Sequence, residues 1–86
     1  MKLIVLSVSP ETLSKYSGFP TKRVTFKSLD PNDKNYYYLN LDEKFKEKVS
    51  QWDPVCKEGN VLDVTLQANG KNINLFQGFT HIKKEK

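Results

Sequence analysis

The chain carries one cysteine, one histidine and one tryptophan: Cys56, His81 and Trp52. A single thiol excludes an intrachain disulfide and points to a reducing interior. No His, Cys or carboxylate cluster surrounds Cys56, so it reads as a small apolar core residue. His81 lies beside the basic tail and far in sequence from any nucleophile, which predicts a surface residue rather than a general base. There is no GxxxxGK[ST], no GxGxxG after a strand and no paired Cys/His spacing for zinc. The expectation is a chain that is no enzyme and needs no metal or other cofactor. Long apolar runs are also missing. MKLIVLSV is far short of the ~20 apolar residues that span a bilayer and reads as a buried strand rather than a leader, so no membrane is expected as a partner.

What is present fits one small soluble domain. Eighty-six residues offer too little buried surface for two cores. The predicted organisation is a single domain over 1–82 and a short basic tail over 83–86. Net charge is +4, unevenly spread. Residues 1–29 hold Lys2, Lys15, Lys22, Arg23 and Lys27 against Glu11, and residues 64–86 hold Lys71, Lys83, Lys84 and Lys86 against Glu85. The stretch from Asp30 to Asp63 is acidic. Basic ends around an acidic centre suit a phosphate-facing side with a helix behind it, although scattered lysines also serve plain solubility.

The most informative stretch runs from Lys22 to Leu41. Two arms rich in β-branched and aromatic residues flank DPNDKN, a β-hairpin signal. Alternation puts Arg23, Thr25, Lys27 and Leu29 on one face with Tyr36, Tyr38 and Asn40. Val24 and Phe26 share the other with Tyr37, Leu39 and Leu41. The expected register sets Lys27 opposite Tyr38. One face is then a core, and the other is cationic and aromatic, which suits unpaired nucleic acid. Ordinary sheets also pair Lys with Tyr, so the face alone leaves both readings open.

Elsewhere, Lys2 to Val8 predicts a central strand, and Ser9 to Pro20 a long loop bearing Lys15, Tyr16 and Phe19; each aromatic is either a lid on a ligand or a plug over the core, the plug being favoured for Phe19. Asp42 caps a helix whose Phe45, Val49 and Trp52 form one core-facing stripe, ended at Asp53-Pro54. VLDVTLQ and NINLFQGF around Asn69-Gly70 predict a second hairpin with Leu66 opposite Ile73 and Val64 opposite Leu75. The end, HIKKEK, is expected to fray.

Strand, loop, strand, strand, helix, strand, strand is an order that resembles an OB-fold: mainly β, a five-stranded Greek-key barrel with one helix between strands 3 and 4. Glu58-Gly59-Asn60-Val61-Leu62-Asp63-Val64 is similar to the entry into the fourth strand of many such domains, and the Phe45/Val49/Trp52 helix looks like the plug of the barrel. Within that fold the chain looks most like the small single-stranded DNA-binding proteins of phage or plasmid replication. The resemblance implies largely sequence-independent binding of single-stranded DNA in DNA replication or recombination, in the cytoplasm, or the host cytoplasm if the protein is viral. It implies a site on the second and third strands and their flanking loops: Lys15, Tyr16, Lys22, Arg23, Thr25, Lys27, Tyr36, Tyr38 and Lys71. A homodimer and replication proteins are the further partners it suggests. The basic end departs from the acidic tail of the cellular type. Two alternatives stand beside this reading, an RNA-binding OB domain in translation or RNA handling and a protein-interaction accessory module.

Overall fold

The computed structural model describes residues 1–68 and 70–82. The Lys83–Lys86 tail and Asn69 of the expected Asn-Gly turn lie outside the described residues. Strand β1 (Lys2–Val8) is central, as its near-continuous apolar run predicts: β3 (Pro20–Ser28) pairs with one edge and β5 (Val61–Asp63) with the other, both antiparallel. Leu3 and Val5 point into the core, and a register shift between Val5 and Ser7 bends the strand.

The long β3 organises the sheet. Along one edge it carries β1 and then β2 (Thr12–Leu13), whose two residues pair with Thr21 and Pro20. Along the other it pairs with β4 (Tyr36–Asp42) from Thr21 to Lys27 without interruption. Beyond β5 lies β6 (Thr80–Ile82), antiparallel to it. The expected long loop therefore contains a short strand, because the chain doubles back on β3 at Ser14–Phe19. The segment expected to fray begins inside a strand, with Leu62 opposite His81. Phe19 is exposed and is not a plug.

The hairpin register differs from expectation by two residues: Lys27 faces Tyr36, and Thr25 faces Tyr38. The cause is the connection. Asp30 Oδ1 accepts from the Asn32 amide at 2.9 Å, Asp33 Oδ1 from the Asn35 amide at 3.0 Å, and the Tyr37 hydroxyl donates to Asp33 Oδ2 at 2.7 Å. These local bonds wind the turn further than strand alternation reveals. A two-residue shift leaves the faces unchanged, so the predicted partition holds.

Asp42 does cap the helical segment, accepting from the Lys44 amide at 3.0 Å. The first turn, Glu43–Phe45, is a 3-10 helix, and α1 occupies Lys46–Trp52. Phe45 at φ −111°, ψ 53° breaks the expected α-helical stripe. Val49 and Trp52 still pack on the core, but Phe45 turns outward. Trp52 is sealed, with Nε1 donating to the Leu75 carbonyl at 3.1 Å and its ring 4.5 Å from Phe79.

Among the described residues the second hairpin makes one antiparallel bridge, Leu66↔Ile73, at the predicted position. Its outer arm also meets β4. The Tyr38 amide donates to the Lys71 carbonyl at 3.1 Å, and the Ile73 amide donates to the Tyr38 carbonyl at 2.8 Å, a parallel bridge between Tyr38 and Asn72. Among the described residues the protein is thus mainly β, an antiparallel sheet with one α-helix, and the sheet is not closed.

Candidate nucleic-acid interface

Period-two alternation on β3 and β4 builds the site. Val24, Phe26, Tyr37, Leu39 and Leu41 are buried, and this forces Arg23, Thr25, Lys27, Tyr36, Tyr38 and Asn40 to the opposite face. Cross-strand pairing sets Arg23 beside Asn40, Thr25 beside Tyr38 and Lys27 beside Tyr36. From Thr21 to Lys27 the strip extends roughly 20 Å along the strand.

Arg23 and Tyr38 are diagonal neighbours, and the guanidinium carbon stands 5.4 Å from the Tyr38 ring centroid. The Arg23 Nε donates to Asn40 Oδ1 at 3.3 Å, which sets the plane of the guanidinium. Its strand position is fixed separately, since its amide donates to Ser9 Oγ at 2.8 Å and its carbonyl accepts from the Ser9 amide at 2.8 Å. Among the described residues neither Arg23 nor Lys27 has a carboxylate partner. Tyr36 is 50% exposed and Tyr38 half-buried, so each ring offers part of a flat surface.

Three of the predicted loop positions lie around this strip. Lys71 is brought to it: its carbonyl accepts from the Tyr38 amide at the edge of β4 away from β3. Lys15 and Tyr16, both exposed, ride on a turn in which Ser14 Oγ accepts from the Tyr16 and Ser17 amides, at 3.2 Å each, and Gly18 takes φ +74°. Ser17 Oγ donates to Asp42 Oδ2 at 2.8 Å, which ties the turn to the far end of β4, beyond the cross-strand pairs.

Lys22 departs from its predicted role. It shares alternation with Val24 rather than with Arg23, and its ammonium pairs with Asp53 at the end of α1. An amine held there does not join the outward strip.

A groove of about 400 Å³ adjoins the strip, formed by Ser9, Pro10, Thr12, Thr21, Lys22, Arg23 and Asn40. Sequence reasoning missed Ser9, Thr12 and Thr21, because they converge only when β2 folds back on β3. Among the described residues no carboxylate lines the groove, and Asp42 already accepts from Ser17 and Lys44. An arginine beside three hydroxyl side chains, with no opposing acid among the described residues, is an anion-accepting arrangement.

Cys56 is buried, and burial first, then the Asp53 carboxylate, pushes its thiol up to about 12 against a smaller opposing effect of Lys22. A thiol so protonated is a poor nucleophile. Among the described residues no group of His, Cys, Asp and Glu is placed to hold a metal ion, and no helix is long and apolar enough to cross a membrane. No protein-family model, curated protein or solved structure matches the chain.

Proposed function

We propose that the protein binds single-stranded DNA without strong sequence preference, in the cytoplasm, in the service of replication or recombination, and that it acts by binding rather than by turnover. The single observation that carries this reading is the shared outward face of Arg23, Lys27, Tyr36 and Tyr38. Rings at Tyr36 and Tyr38 stack bases, each worth about 1–3 kcal/mol. Arg23 and Lys27 hold phosphates, and the groove at Thr12 and Thr21 gives the Arg23 guanidinium an anion to meet as a base displaces it from Tyr38. Lys71 flanks the strip at the β4 edge, and Lys15 and Tyr16 extend it past Asp42.

The finer fold belongs to the same proposal: a partly open OB-type barrel. Its support is the run of pairings β4 to β3, β3 to β1 and β1 to β5, together with the bridges Tyr38 to Asn72 and Ile73 to Leu66 by which the chain beyond β5 reaches β4. A face this small coats a long strand only as repeated copies or a homodimer.

The test is a titration of intrinsic fluorescence with oligothymidylate, the matching RNA and a duplex at two salt concentrations. Single strands should bind more tightly than duplex, and log affinity should fall with log salt by about 0.7 per phosphate engaged. Tyr38→Ala should weaken binding while the melting transition stays, since the cation–π contact it removes is worth only about 0.5–1 kcal/mol. Equal binding of duplex, or none that responds to salt, would sink the proposal. Tighter binding of the RNA would move the substrate class and keep the face.

A further inference from the structure

A second exposed surface lies apart from the tyrosine strip, at the start of the helical segment. Phe45 and Phe76 are 37% and 57% exposed, and their rings meet edge to face at 4.9 Å and 86°. Lys44, Lys46, Glu47 and Lys48 complete a groove of about 430 Å³ around them, and the Lys44 ammonium stands 5.8 Å from the Phe45 centroid.

The fold builds this surface rather than leaving it to chance. Phe45 continues the helical spacing of Val49 and Trp52, yet the 3-10 turn swings it away from the core those residues share. Phe76 follows Leu75, whose side chain is buried and whose carbonyl is held by Trp52. Its own amide donates to Asn74 Oδ1 at 2.9 Å. Both rings are therefore presented on pinned backbone, and pre-organised aromatic side chains lose little entropy on binding. Two exposed phenylalanines among lysines are the composition of an interface centre with a charged rim.

We infer that this groove docks a short acidic protein segment carrying one aromatic side chain. The lysines set the sign of the partner: among the described residues three lysines line the groove against one glutamate. The packing of the rings sets its shape. Phe45 already meets Lys44 and Phe76, so the pair leaves a notch for an inserted side chain instead of the open parallel faces on which bases stack. Glu47 in the wall opposes a continuous phosphate backbone but accepts a peptide amide. On docking, the partner's ring takes the place beside Phe45, and its carboxylates receive Lys44, Lys46 and Lys48.

The test uses the full chain and two synthetic peptides of Asp and Glu, one with a central Phe and one with Ala in its place, followed by backbone amide shifts. The Phe peptide should shift the amides of Phe45, Lys46, Lys48 and Phe76. The Ala peptide should bind about tenfold more weakly, as loss of an aromatic anchor predicts. Phe76→Ser should weaken the Phe peptide by a similar factor while leaving melting and oligothymidylate binding unchanged. K46E together with K48E should weaken both peptides. Equal affinity for the two peptides, shifts confined to the Arg23 and Lys27 face, or oligothymidylate shifting the Phe76 amide would each overturn the inference. So would concentration-dependent self-association through Phe76, which would make a second copy the occupant. Failure of the β3–β4 face to bind nucleic acid leaves this result unaffected, so the two proposals fail separately.

Discussion

The two hairpins of this chain have opposite relations between turn signal and ladder. The first joins its arms through DPNDKN, a connection of no standard short type, yet pairs seven consecutive residues from Thr21↔Asp42 to Lys27↔Tyr36. The second has the stronger local signal, Asn-Gly between alternating arms, but among the described residues it makes a single bridge, Leu66↔Ile73. What differs is the use of the outer strand. Both arms of the first lie wholly in the sheet, whereas the second divides its backbone groups between its own partner arm, the Tyr38 edge and Trp52. Turn chemistry starts a hairpin, and the neighbours available to each strand decide how far it runs.

The sharpest way to break the first hairpin is at its middle tyrosine. Tyr37 is buried and bonded to Asp33, while its neighbours point outward. Tyr37→Ala should cost about 3–5 kcal/mol in chemical denaturation, the range for losing a buried aromatic ring. Ile73→Ala, buried in the second hairpin, should cost about 2–5 kcal/mol. Hydrogen exchange would sharpen the contrast without mutation. The Phe26 and Leu39 amides should exchange only with global opening, and those of Gln67 and Asn74 through cheaper local opening.

Smaller effects separate binding from folding. Tyr36→Ala should lower oligothymidylate affinity by about 1–3 kcal/mol and leave stability nearly unchanged, because the ring is half in solvent. The turn should also make the first hairpin sensitive to pH. Asp33 sits below the usual carboxylate range, chiefly because the Tyr37 hydroxyl donates to it and then because the Asn35 amide does. Its contribution is complete above the unfolded carboxylate value and is lost as pH falls through the lower folded one. The same bond holds the Tyr37 phenol above its ordinary value, so that contribution is lost as pH rises through the folded value in alkali. Asp33→Asn should flatten the acid limb of the stability curve, and an unchanged limb would assign it to other carboxylates. The smallest change is expected at Gly70, whose φ of +81° faces open space. There Gly70→Ala should cost about 1 kcal/mol from backbone strain alone.

What could be read in advance follows from how each feature is encoded. The two faces of the Lys22–Leu41 hairpin were legible because alternation is written in consecutive residues, and Val24, Phe26, Tyr37, Leu39 and Leu41 all obey it. The register was not, because it depends on how Asp30 and Asp33 fold their own loop, and a two-residue slip leaves the alternation intact. Phe45 was misplaced since 3.6-residue spacing assumes an α-helix from the cap onward, and the first turn is tighter. The strand at Thr12–Leu13 and the groove it makes with Arg23 had no local signal at all, being products of pairing across the sheet. Lys22 looked like one more cation of the strip until Asp53, remote in sequence, claimed it.

The buried Cys56 gives the molecule a stopwatch for its own opening. Maleimide reacts with thiolate, and a sulfhydryl shielded beneath the sheet and held at a value near 12 presents almost none while the fold persists. Labelling speed in neutral buffer therefore counts the openings, local or global, that bring Cys56 to solvent, and a dye wanted on the native protein must be attached at a cysteine engineered elsewhere.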